Sequence, residues 1–335
     1  MSVIVNTDYE SVLFENKPSL KMKRELEFLG LWLNERVQNV MDYDDAYLEH
    51  IAHFTGRKPI LVKNDPKARN WWGALKNIES ERYLNSKETS SALAQALGEQ
   101  VGHVIEDEGD LAALDEGKVY LFKSFTGVSG KGHKFLSHLR ESDFPLLAEE
   151  FHNRTLDFST YCFENGECIY YQNFISPTFG YKGSLFDFKN SSSLLELDFV
   201  KGHENLDWKN YQWQVSKIIE FVREEGPGGF SIDSYVFDNK IRALCEINYR
   251  RTMGVTAFEI AKVISPKRFQ LFLIFKTEIK YSELLELSIK KDFILLSHDR
   301  NFFSYLILSA DTKNELKVKL HDLQSTIGTL SVEIQ

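Results

Sequence analysis

The stretch from Ile232 to Arg250, IDSYVFDNKIRALCEINYR, constrains this chain more than any other. Asp238-Asn239 lies between two apolar-rich runs, and both residue types tolerate the positive φ that a two-residue hairpin turn demands. With that turn, Phe237 faces Lys240, Tyr235 faces Arg242 and Asp233 faces Leu244. Side chains alternate along each strand, so Asp233, Glu246, Asn248 and Arg250 are expected on one face. Three oxygen-bearing side chains and a guanidinium suit Mg²⁺ and phosphate, because Mg²⁺ usually takes one or two carboxylates plus substrate phosphates. The bland alternative is a surface ribbon with solvated charges, and a three-residue loop would flip the parity.

At 335 residues the chain is long enough for two or three compact modules with a substantial core. Its net charge of −9 argues against non-specific binding to nucleic acid or a membrane surface, yet leaves local lysines free to bind phosphates. No apolar run approaches the roughly 18 residues of a spanning helix, the longest being Phe269 to Phe275, and no signal peptide opens the sequence. A cytoplasmic location is the expectation. Three cysteines fit it. A two-residue turn at Asn165-Gly166 pairs Cys162 with Ile169 and Phe163 with Cys168, which offsets the two thiols and disfavours a disulfide.

Residues 1 to 80 read as an aromatic-rich opening: a helix from Ser19 to Gln38, an acidic helix from Asp42 to Phe54, a strand at Ile60 to Val62, then Trp71-Trp72-Gly73. A helix begins near Asn85, where Asn85 and Glu88 have the spacing of a capping box, and it stops at Gly98. A second helix spans Asp110 to Leu114. A strand from Val119 to Lys123, a glycine loop, a helix to Arg140 and a strand from Pro145 to Phe151 follow. Beyond Thr155 the pattern is antiparallel: a hairpin from Leu156 to Phe174, a helix from Tyr211 to Glu224, and the hairpin described above. The tail reads as strand, helix, two strands and helix.

Gly127, Gly130 and Gly132, with Ser129 among them, follow directly on the strand ending in Lys123. Glycines let the backbone fold over phosphates and offer its amides as donors. The spacing is neither a Walker loop nor a dinucleotide fingerprint. Lys123, with Lys87 at the start of an earlier helix, would clamp a phosphate beneath such a flap.

Taken in order, these pieces resemble the ATP-grasp superfamily. Asn85-Ser86-Lys87 is similar to the start of its small nucleotide lobe, and Val119 to Lys123 with Gly127 to Gly132 resembles its lysine strand and glycine loop. Ala148-Glu149-Glu150-Phe151 resembles the hinge between lobes that holds adenine, and Asp157 lies where an acidic residue takes the ribose. Asp233, Glu246 and Asn248 match the metal-binding signature, and Arg250 falls where several members place an arginine against a developing anion.

The resemblance implies an α+β protein of the ATP-grasp fold, with two α+β lobes holding ATP between them, residues 81–150 and 151–265. A short N-terminal domain, 1–80, and a small C-terminal α/β cap, 266–335, would flank them. It further implies ATP with Mg²⁺, or Mn²⁺ in its place, and a ligase that activates a carboxylate as an acyl phosphate for attack by an amine or other nucleophile. Lys123 and Arg250 would be catalytic. The expected partners are a small-molecule or peptide carboxylate and a nucleophile, with no nucleic acid or membrane, and the class permits a homodimer. The alternatives are a small-molecule kinase of the same fold and a non-catalytic ATP-binding protein.

Overall fold

The computed structural model describes residues 2–15, 17–39, 41–99, 102–126, 133–264, 267–330 and 332–334. The chain opens with a small parallel sheet. β1 (Val3–Ile4) leads through α1 (Tyr9–Glu15), α2 (Leu20–Leu26) and α3 (Phe28–Leu33) to β2 (Arg36–Gln38); α4 (Asp45–Thr55) then leads to β3 (Ile60–Val62), and β4 (Arg69–Asn70) completes it. The order is β3-β2-β1-β4, with all neighbours parallel. The single helix expected over Ser19 to Gln38 is instead two short helices and a strand. Arg36 to Gln38 pair with β3, and Val37 and Gln38 also with β1, contacts that local periodicity does not register. Asp44 caps α4 by accepting the Tyr47 amide, and Gly56 ends it at φ 70°, the left-handed C-cap that glycine allows.

Next come α5 (Ile78–Leu84), α6 (Lys87–Ala96) and a four-stranded sheet of order β5-β8-β6-β7, built from β5 (His103–Ile105), β6 (Tyr120–Lys123), β7 (His133–Lys134) and β8 (Leu146–Glu150). Ser86 rather than Asn85 caps α6, accepting the Glu88 amide at 3.2 Å. Asn85 ends α5 and reaches across to the Tyr249 amide at 2.9 Å. The helix expected over Asp110 to Leu114 is a 3-10 helix over Glu108–Ala113. Among the described residues no helix leads to Arg140; single 3-10 turns stand at Leu136–His138 and Glu141–Asp143, where Asp143 takes both the Arg140 amide and the Lys134 ammonium.

The largest layer is an eight-stranded sheet of order β13-β12-β9-β10-β11-β14-β16-β15. In chain order its elements are β9 (Arg154–Cys162), β10 (Cys168–Ile175), β11 (Tyr181–Asp187), α7 (Asp198–Lys201), α8 (Trp208–Glu225), β12 (Phe230–Phe237), β13 (Lys240–Asn248), α9 (Met253–Ile264), β14 (Phe269–Phe275), α10 (Tyr281–Lys291), β15 (Phe293–Leu295), β16 (Ser304–Ala310) and α11 (Lys313–Thr326). β14 pairs with β11, so the strands of the tail continue the sheet that carries β12 and β13. Among the described residues no helix is long and apolar enough to cross a membrane.

The β9–β10 register differs from the expected one. Cys162 stands opposite Cys168, because the Phe163 amide bonds the Glu167 carbonyl and the loop is therefore three residues, Glu164 to Gly166, rather than two. Both thiols are free.

Period-two alternation assigns the faces of the sheet. Phe230, Ile232 and Val236 of β12 join Leu156 and Phe158 of β9 in the core under α8. That helix contributes Trp208, Tyr211, Val215, Ile218 and Val222, the 3.6-residue stripe of an amphipathic helix. Each such side chain contributes about 1.5–3 kcal/mol by leaving water. Alternation turns Asp157, Ser159, Ser231, Asp233 and Tyr235 to the other face, toward the first unit and the four-stranded sheet.

Candidate active site

The β12–β13 hairpin turns at Asp238 and Asn239, with φ 44° and 56°, the backbone of a type I′ turn. Phe237 pairs with Lys240 and Tyr235 with Arg242, as the turn dictates. The register then shifts, and Asp233 stands opposite Glu246 rather than the expected Leu244. Three residues, Ala243 to Cys245, thus oppose Ser234 alone. A bulge leaves backbone groups to be satisfied, and bulges commonly re-aim side chains beside functional sites. Here Glu99, just past α6, accepts the Ala243 amide at 2.6 Å and the Leu244 amide at 3.4 Å. Arg242 Nε donates to the Leu244 carbonyl and pairs with Glu99, and Ser234 Oγ donates to the Ala243 carbonyl. The shift is by two residues, so parity survives, and Glu246 and Asn248 stay on the face of Asp233.

The three side chains are tightly connected. Asn248 Nδ2 donates to Asp233 Oδ2 at 2.9 Å, and Ser159 Oγ donates to Asp233 Oδ1 at 2.7 Å. Burial, and then the charge of Glu246, push the Asp233 carboxyl up to about 6 against the bonds from Ser159 and Ser231. Lys87, only 5% exposed at the start of α6, meets Glu246 Oε1 at 3.1 Å and holds that carboxyl low although burial opposes it. Two carboxylates in register, one of them raised partly by the other, with an amide alongside, fit a divalent cation: the oxygen set is hard, and the added charge relieves their repulsion. Among the described residues, no three His, Cys, Asp or Glu side chains gather into a metal cluster. A site here would therefore rely on Asn248 and on ligand oxygens.

From the opposite sheet, Lys123 of β6 is 3% exposed and forms a closed ion pair with Glu149 of β8. Burial opposes both charges, yet each partner holds the other ionised. Glu149 thus faces inward onto the lysine. Glu150 meets Lys118 at 2.7 Å, and the Phe151 ring packs edge-on against Phe135 and Phe179. Asp157 accepts from Arg154 Nη1 at 2.9 Å. Gly127, Ser129, Gly130 and Gly132 lie outside the described residues.

Arg250 donates through Nη2 to Asn248 Oδ1 at 2.9 Å and forms an ion pair with Glu10 of α1. Arg251 turns away, pairing with Glu259 and lying over the Trp71 ring at 5.0 Å, while its amide donates to the Trp72 carbonyl. A cavity of about 210 Å³ brings together Lys123, Asp157, Asp233, Glu246, Asn248 and Arg250.

Several lining residues carry no signal in the sequence. Arg154 lies over the Tyr235 ring at 4.1 Å. His133, just past the glycine loop, is pushed down to about 4 by burial and by Lys123 and Lys87, so its ring is neutral at pH 7. Its buried Nδ1 has no partner among the described residues. Glu10 comes from the first unit. The position of His133 after a glycine loop was the one available hint; Arg154 and Glu10 sat in ordinary-looking segments.

No family model matches the sequence, and no curated protein matches it. Solved structures do. N5-carboxyaminoimidazole ribonucleotide synthetase from Thermus thermophilus aligns over 99% of this chain and 100% of its own at 12% identity, with a TM-score of 0.57. The chain has the ATP-grasp fold. N5-carboxyaminoimidazole synthetase from Staphylococcus aureus covers 98% of this chain and 96% of its own at 11% identity and TM-score 0.55. A nucleotide complex of biotin carboxylase from Campylobacter jejuni covers 88% and 75% at 11% identity and TM-score 0.51. In the ATP-grasp frame, the cavity lies between the four-stranded sheet and the β9–β12–β13 part of the large sheet.

Proposed function

We propose that the protein is an ATP-dependent, Mg²⁺-requiring ligase that activates a carboxylate as an acyl phosphate and passes the acyl group to an amine. The observation that carries this reading is the pairing of Asp233 with Glu246, beside Asn248, on the same cavity as Lys123, with Lys87 closing on Glu246. Phosphoryl transfer asks mainly for positioning and charge neutralisation, and these side chains supply both. The structures of similar fold include complexes with ADP and ATP, which supports the nucleotide assignment.

Asp233, Glu246 and Asn248 would hold Mg²⁺, which supplies charge neutralisation at the phosphoryl oxygens. Lys87 and Lys123 would hold the phosphates from the side of α6 and β6, each leaving its present carboxylate partner as the metal and phosphate charges arrive. Glu149, Glu150 and Phe151 at the end of β8, with Asp157, would take adenine and ribose, and Gly127, Ser129, Gly130 and Gly132 would close over the phosphates. Arg250 would hold the acceptor carboxylate and then the oxyanion formed on attack. The burial of Lys87 and Lys123 would keep bulk water from competing for the activated acyl group.

Incubation with ATP, Mg²⁺ and pooled carboxylates and amines, read by product mass, tests the proposal. The expected products are ADP, free phosphate and an amide. A phosphorylated acceptor would assign a kinase instead, and binding without turnover would assign a non-catalytic protein.

A further inference from the structure

The parallel sheet of the first unit contains a topological switch point. The chain moves outward from β1 through β2 and β3, then returns to the other side of β1 as β4. In open α/β sheets ligands bind in the crevice beyond the carboxyl ends of two such strands. Thr7 and Glu10 follow the end of β1, Trp72 follows the end of β4, and all three line the cavity that holds Asp233 and Glu246. Met22 and Leu26 of α2 and Met253 of α9 line it as well. This wall is therefore apolar apart from Thr7, Thr252 and one charge, the Glu10 carboxylate, which is 9% exposed and ion-paired with Arg250.

We infer that Glu10 receives the nucleophile, a protonated primary amine on an apolar body, beside the carboxylate held by Arg250; the inference rests on the ligase reading of the same cleft. Arg250 and Glu10 neutralise each other in this structure. A substrate carboxylate that takes Arg250 leaves Glu10 buried and uncompensated, a costly state that a cation relieves and an anion worsens. The crevice thus selects an ammonium and rejects a phosphate or thiolate. The ammonium gives one proton to Glu10, and the neutral amine attacks the acyl-phosphate carbon. The C–N bond forms, the C–O bond to phosphate breaks, and the second proton leaves with the phosphate. Met22, Leu26, Trp72 and Met253 exclude water around the carbon skeleton.

The experiment has two arms, each deciding a different claim. Benzylamine and benzyl alcohol are titrated, with saturating acetate present to occupy Arg250, into the MgADP-loaded protein and into Glu10→Gln, with binding read by ligand NMR. The wild type should prefer the amine by about tenfold or more, and Glu10→Gln should erase that preference. Equal affinity for the two probes in the wild type, no binding of either, or a preference that survives in Glu10→Gln overturns the assignment, and the wild-type comparison stands even where the variant fails to fold. In the second arm, hydroxylamine, uncharged at neutral pH, traps acyl phosphate as hydroxamate from pooled carboxylates. Glu10→Gln should lose about tenfold or more additional rate with benzylamine as nucleophile than with hydroxylamine, because only the charged nucleophile needs the carboxylate. Equal losses with the two nucleophiles overturn the assignment; no hydroxamate from the wild type overturns the ligase reading itself, while the amine titration still decides whether Glu10 binds a cation.

Discussion

Asp233 and Glu246 face each other across neighbouring strands because the hairpin shifts its register between them and the turn. Glu99 holds that shift by accepting two amides of the bulge and pairing with Arg242. Glu99→Ala should therefore destabilise the protein by about 2–4 kcal/mol, through two orphaned amides and an unpaired buried guanidinium. Urea unfolding measures the loss. ATP turnover should fall further than the folded fraction does, since Glu246 loses its aim. Turnover proportional to the folded fraction would detach the bulge from the site.

Lys123 and Glu149 have a structural and a proposed catalytic role that a double substitution separates. Lys123→Met alone leaves the buried Glu149 uncompensated and should cost about 3–5 kcal/mol. Adding Glu149→Leu removes the stranded charge and should restore most of that stability. It should not restore phosphoryl transfer. A double variant that regained both would show that Lys123 serves the fold only.

The tail is tied to the sheet by an ion pair of the opposite kind, one whose pH dependence is informative. Burial favours the neutral acid at Asp187, but bonds from Arg268, Asn190 and the Lys189 amide win and hold its carboxyl below the usual range. A depressed carboxyl contributes stability above its unfolded value, about 3.9, and that contribution fades as the pH falls toward the folded value. Asp187→Asn should be less stable than wild type at pH 7, with the difference shrinking below about pH 4. A difference independent of pH in chemical denaturation would contradict this.

Cys162 and Cys168 are opposed in register, next to the hydrogen-bonded contact of Phe163 with Glu167. Such positions place Cα atoms within the span a disulfide needs. Diamide treatment of the folded protein should link the two thiols and lower its mass by two hydrogens, and Cys168→Ser should abolish the change. Persistence of two free thiols would rule out that pairing.

The parts of this fold written in local sequence were legible, and the parts written between distant segments were not. Asp238-Asn239 announced its own turn, and the alternation around it placed Asp233, Glu246 and Asn248 on one face. The two-residue shift that makes Asp233 and Glu246 true neighbours depends on Glu99, in a distant part of the chain, and no local pattern encodes it. β1 and β4 are two residues long, too short to show a period, so the parallel sheet and its switch point were hidden. Glu10 was missed for the same reason: its meaning lies in Arg250, far along the chain. The helix expected up to Arg140 failed because His133 and Lys134 pair with β6, a tertiary contact that outweighs helix propensity.

The most direct test of the central claim is the rate of MgATP-dependent ADP formation by Glu246→Gln, set beside wild type with the same carboxylate and amine. The substitution keeps the size of the side chain and removes one charge from the proposed metal pair. The account predicts that turnover falls by about 100-fold or more, while the fold, read by circular dichroism, is retained. Wild-type turnover in Glu246→Gln would contradict the metal site and, with it, the proposed chemistry of the cleft.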